Sequence, residues 1–118
     1  MVPERRKQTR VRCYLPMRLY PQGEHRVIET LSKDLGLDGM SCLSPVHRPI
    51  FTPVSLELTL GQGQPPLTLH AKLIWFSEMP NSEQFQLGFA FEPLSESESR
   101  QVSRCIDKFA SHLSASPV

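Results

Sequence analysis

The sequence predicts a mostly-β domain in which short antiparallel strands close into a small barrel or sandwich, followed by one C-terminal α-helix. Three observations predict it. Apolar and polar residues alternate with period two through most of the first ninety residues. Turn-forming Pro, Gly, Asn and Asp interrupt that alternation at short intervals. After Ser95 the apolar spacing changes to that of a helix. The length of 118 residues suits a single domain, and 39% apolar content suffices for a modest core.

Val11, Cys13, Leu15, Met17 and Leu19 alternate with polar or aromatic neighbours, which predicts a first strand over 11–20. Pro16 cannot donate a ladder hydrogen bond, so the strand is expected to be an edge there or to carry a bulge. Pro21-Gln22-Gly23 is a turn, and Arg26 to Ser32 reads as a second strand. Lys33 to Gly39 reads as a turn-rich link whose two glycines permit unusual backbone angles. Met40 to Leu43 resumes a short strand, and a proline-flanked loop runs from Ser44 to Pro53. Val54 to Leu60 alternates cleanly, Gly61 to Pro65 turns the chain, and Leu67, Leu69, Ala71, Leu73 and Trp75 share one face of a long strand. A polar turn around Pro80-Asn81-Ser82 leads to the last strand, ending at Phe91. Ser95 with Glu98 forms a capping box, and Val102, Cys105, Ile106, Phe109 and Leu113 make one helical stripe. The expected organisation is a flexible basic arm over 1–10, a barrel with its helix over 11–113 and a tail over 114–118.

Composition excludes several classes. No apolar run reaches the roughly 20 residues of a spanning helix, and the basic start has no apolar stretch behind it, so neither membrane insertion nor a secretory signal is expected. The three cysteines, Cys13, Cys42 and Cys105, are odd in number and widely spaced, which fits buried thiols in a reducing cytoplasm. There is no G-x-x-x-x-G-K, G-x-S-x-G or H-E-x-x-H, and the four histidines are isolated, so no catalytic function and no cofactor is predicted. The formal net charge of +1 conceals an asymmetry: residues 1–18 carry a net of +5 and the remainder a net of −4. Such an arm is either a solvated terminus or a local attractor for an anion. The acidic body and the lack of an exposed aromatic series argue against nucleic acid.

Two short motifs stand out. Arg5-Arg6-Lys7-Gln8-Thr9-Arg10 precedes the first strand, and Asp34-Leu35-Gly36-Leu37-Asp38-Gly39 follows the second. Their order, spacing and strand context resemble the PilZ domain, a bacterial receptor family for cyclic di-GMP with the pattern R-x-x-x-R followed by D/N-x-S-x-x-G. Arg6 and Arg10 match the first motif, and Asp34 and Gly39 match the ends of the second. The resemblance covers about residues 4–110 and extends to Ala71–Trp75 and Phe85–Phe91, which look like the family's late strands.

The resemblance implies a six-stranded antiparallel split β-barrel with a C-terminal helix, acting as a stand-alone cyclic di-GMP receptor whose arm orders on binding and signals to a partner protein. The chemistry is apt. An arginine fork bonds phosphate oxygens or guanine O6 and N7 in pairs, and its face stacks on bases. Asp34 can accept from guanine N1–H and N2–H, and Gly39 allows close backbone approach. Arg5 makes a double arginine, which in the family implies capture of an intercalated ligand dimer. Trp75 occupies a position where some relatives stack an aromatic on guanine, whereas its parity with Leu69, Ala71 and Leu73 points it into the core. Gly36 stands where the motif has serine. One lost hydrogen bond, about 0.5–1.5 kcal/mol, is expected to weaken binding rather than abolish it. The alternative is a PilZ-like adaptor that no longer binds the nucleotide and works through protein contacts.

Overall fold

The computed structural model of the chain describes residues 10–61 and 63–114, with side chains as far as Ala110. The elements are β1 (Arg10–Arg12), β2 (Pro16–Pro21), β3 (Ile28–Gly36), β4 (Gly39–Ser44), β5 (Pro53–Leu58), β6 (Leu67–Glu78), β7 (Phe85–Phe91) and α1 (Glu96–Ser114). All strand pairings are antiparallel. β3, β2, β5, β6, β7 and β4 are hydrogen-bonded in that order, and β4 returns to β3. Six strands therefore close a barrel, which removes the long open edge of a flat sheet, and β1 lies outside the ring against the end of β3. The predicted mostly-β barrel with a terminal helix is what forms.

Three local expectations are corrected. The first strand is two, because the register shifts by one residue between Arg12↔Asp34 and Pro16↔Leu31. The buried Ser32 hydroxyl bridges the gap, donating to Cys13 O at 2.7 Å and accepting from Leu15 N at 2.8 Å. A bulge just ahead of Pro16 thus replaces an edge, since β2 lies between β3 and β5. Arg10 belongs to β1 rather than to an arm, and residues 1–9 lie outside the described residues. The link at Lys33–Gly39 is instead a hairpin in which only Leu37 and Asp38 leave the strands, and neither Gly36 nor Gly39 takes a positive φ.

The core follows the period. Leu19, Leu35, Met40, Leu56, Leu58, Leu69, Leu73 and Phe89 are each at most 2% exposed. Burying such a side chain contributes about 1.5–3 kcal/mol. α1 begins at the predicted capping box, with Glu98 N donating to Ser95 Oγ at 3.0 Å and Ser95 N donating to Glu98 Oε1 at 2.9 Å. It buries Val102, Cys105 and Ile106 and packs on β1 and β3. The helix therefore supports the two strands that carry Arg10 and Asp34.

Trp75 departs from its predicted parity. A register shift between Leu73 and Trp75 puts both Ile74 and Trp75 outside, each 38% exposed. The adjoining loop contributes: Phe51 N donates to Leu73 O at 2.6 Å and Leu73 N to Thr52 O at 3.0 Å, so the β5 side of the ladder ends there. Beyond the shift it is Phe76 that is half-buried, with His47 stacked on it at 3.9 Å. The barrel-core reading of Trp75 is overturned by this bulge.

Candidate functional site

In an antiparallel sheet, directly opposed residues lie on one face. Arg12↔Asp34, Asp34↔Ser41, Ser41↔Gly88 and Gly88↔Trp75 form one such row across β1, β3, β4, β7 and β6. The neighbouring row, Leu35↔Met40↔Phe89↔Leu73, is buried in the core. The first row therefore lies on the outside of the barrel. Beside it runs a second outer row, Gly39↔Ala90↔Lys72, with Arg10↔Gly36 on the other side of the hairpin. The floor of this face is Gly36, Gly39, Ser41, Gly88 and Ala90, all small, and all but Ala90 are buried, with the Arg10 side chain against Gly39, Gln86 on Ser41 and Trp75 over Gly88. Its rims are the Arg10–Asp34 cluster and, three strands or about 14 Å away, Trp75.

Arg10 Nη1 donates to Asp34 Oδ1 at 3.2 Å and Nη2 to Asp38 Oδ1 at 3.3 Å. The side chain of Arg10 is 20% exposed, and its Nε is buried with no partner among the described residues. Gly39 creates the seat for it. A Cβ there would stand 3.1 Å from Arg10 Nη2 and collide with the Phe89 carbonyl oxygen. The glycine is thus needed for close approach, not for an unusual φ. At the other rim the Trp75 indole lies over Gly88, where a Cβ would land within the ring. Gln86 Nε2 donates to Ser41 Oγ at 3.5 Å on the floor between.

Of the seven residues singled out in the sequence, Arg10, Asp34 and Gly39 meet directly, Gly36 is opposite Arg10, and Trp75 shares the row of Asp34. Arg5 and Arg6 lie outside the described residues. Three residues went unnoticed: Ser41, Gly88 and Asp38 as a partner of Arg10. For Gly88 a signal existed, since a glycine inside a strand marks close approach by something else. Among the described residues no cluster of His, Cys, Asp and Glu could hold a metal, and no helix is long and apolar enough to cross a membrane.

These features define a small closed antiparallel barrel with a polar outer face of small residues that carries Arg10 and Asp34 at one end and Trp75 at the other. The PilZ domain profile matches residues 4–108, and the chain belongs to that family. Among solved structures, the chain is similar to the PilZ domain of YcgR from Escherichia coli with c-di-GMP, with a TM-score of 0.75 and 22% identity over 93% of this chain and 95% of that one. It is also similar to YcgR of Escherichia coli in complex with c-di-GMP, with TM-score 0.80, 22% identity and coverage of 95% and 49%. A third is the Bacillus subtilis inhibitor of motility MotI/DgrA, with TM-score 0.76, 15% identity and coverage of 92% and 52%. The chain spans about half the length of the last two proteins. No curated protein sequence matches.

Proposed function

We propose that the chain is a cyclic di-GMP receptor that binds the nucleotide on the outer face of β3, β4, β7 and β6 and passes the resulting change to a partner protein, without catalysis of its own. The observation that carries this reading is the seating of the Arg10 guanidinium on Gly39 beside Asp34, at one end of a small-residue floor that runs to Trp75. The family membership and the c-di-GMP in the YcgR structures support the same ligand. Arg10 bonds a phosphate or a guanine edge, Asp34 takes guanine N–H donors, and the exposed Trp75 face stacks a base, a contact worth about 1–3 kcal/mol. Arg5 and Arg6 join Arg10 on the ligand, which binds as an intercalated dimer, two nucleotides per chain. The protein works in the cytoplasm, in keeping with three free buried cysteines.

Calorimetric titration with cyclic di-GMP tests this. The expected result is saturation at two ligands per chain. Arg6→Ala and Arg10→Ala should each lose roughly 10- to 150-fold in affinity, the worth of a charge-assisted hydrogen bond. Arg18→Ala, on the far side of the barrel between Glu29 and Glu57, should bind as the wild type does. Equal binding by the two motif variants overturns the reading, and one ligand per chain at saturation overturns the dimer. The second reading, a nucleotide-free PilZ adaptor, is favoured by Gly36, which lacks the motif hydroxyl. It is selected if a folded wild-type chain gives no titration up to submillimolar ligand.

A further inference from the structure

Arg10 is shared by two carboxylates of different standing. Asp34 lies within β3, with Arg12 and Ser41 opposite it on either side. Asp38 sits in the two-residue turn, its side chain 47% exposed. The turn's backbone is anchored separately, because Phe91 N donates to Asp38 O at 3.0 Å. The Asp38 carboxylate can therefore leave Arg10 without unmaking the hairpin. It occupies Nη2, the guanidinium nitrogen that lies against Gly39. A phosphate approaching this end of the floor finds that donor already taken by an anion, and after displacing it still has the carboxylate as a neighbouring like charge.

We infer that Asp38 sets the ligand affinity of this surface by competing with the ligand's phosphates for Arg10. The inference rests on the receptor reading above and names an affinity-determining residue within that site. Binding is then an exchange of one anion for another at Nη2, and the observed affinity is the difference between the two contacts. Removing the charge at Asp38 should strengthen binding, whereas the same change at Asp34 should weaken it. Two carboxylates on one arginine thus respond to Asp→Asn with opposite sign.

The test is titration of cyclic di-GMP into wild type, Asp38→Asn and Asp34→Asn at about 50 and 500 mM salt. Asparagine suits the turn as well as aspartate does. Asp38→Asn should bind roughly two- to fivefold tighter at low salt, the span expected for a half-exposed ion pair, and the gain should shrink at high salt. Asp34→Asn should bind more weakly. If wild type binds and Asp38→Asn binds equally or less well, the competition is refuted while the receptor reading stands. A gain that persists undiminished at high salt also refutes it, because the cause is then turn geometry rather than charge. Binding by Asp38→Asn where wild type shows none supports the competition in its strongest form. If neither binds, the receptor reading and this inference fall together.

Discussion

Along β3, β4, β7 and β6, the row Leu35–Met40–Phe89–Leu73 points into the barrel, and the next row, Asp34–Ser41–Gly88–Trp75, one residue away on three strands and two on the bulged β6, points out. The inner row is four bulky side chains packed to exclusion of solvent. The outer row runs from a carboxylate through a hydroxyl and a bare backbone to an indole lying on the gap left by Gly88. The two rows belong to the same four strands, so what separates them is the face they point to and the size and charge of their side chains. Changes on the inner row should therefore register as stability, and changes on the outer row as ligand affinity.

The largest effect expected on the inner side is a dependence on alkaline pH. Cys42, in the next inner row between Ser32 and Leu87, is fully buried, and burial raises its thiol from an ordinary value near 9 to about 12. Burial also raises Cys13 to about 11, with Cys105 and Asp34 adding to the rise and the Ser32 hydrogen bond opposing it. The folded state holds these thiols neutral, so their contribution is complete below pH 9 and is lost as pH climbs towards 11–12. For Cys42, three pH units correspond to a loss on the order of 4 kcal/mol. Urea midpoints should be flat between pH 7 and 8.5 and fall steeply above 9.5. A Cys13→Ser, Cys42→Ala, Cys105→Ser chain should lack that fall. An identical alkaline fall in the triple variant would assign it to other groups.

Gly39 tests the boundary between the two sides, because its missing side chain faces both the Phe89 backbone of the barrel wall and the Arg10 guanidinium. Gly39→Ala forces one of them to move. The backbone cannot yield as a flexible side-chain end does, so a loss of about 1–3 kcal/mol in urea unfolding is expected. Gly61→Ala is the control, since a Cβ there would meet only the Gln64 side chain at 3.5 Å. Equal midpoints for Gly39→Ala and wild type would falsify the seat assigned to Arg10.

How much of this was legible in the sequence divides along the same line. Met40, Leu73 and Phe89 of the inner row were, because period-two alternation needs no knowledge of the partner strand, whereas Leu35 fell in what reads as a turn-rich link; α1 was, because its capping box is local. The outer row was visible only in part. Asp34 and Gly39 were found through a motif, and the 24 residues separating Arg10 from Asp34 carry no periodic signal of their contact. For Trp75 the sequence leaves ligand face and core both open, because its parity points inward and nothing in Leu73-Ile74-Trp75 announces a bulge; that shift arises from the β7 pairing and from the loop at Phe51 and Thr52. The split between β1 and β2 has the same character, a register offset absorbed by the hydroxyl of a residue on another strand, Ser32.

Gly36 offers the smallest and sharpest test, because it sits on the outer face opposite Arg10 and lacks the serine hydroxyl of the family motif. Its φ is not positive, so a serine can take the same backbone conformation. Gly36→Ser adds one hydrogen-bonding group, worth about 0.5–1.5 kcal/mol, which is a gain in cyclic di-GMP affinity of up to about tenfold. Restricting the unfolded chain adds about 0.4–1 kcal/mol of stability, seen as a slightly higher Tm. The two effects separate the sides of the comparison: a Tm gain with unchanged affinity would mean that position 36 serves only the hairpin, and an affinity gain identifies it as part of the ligand surface.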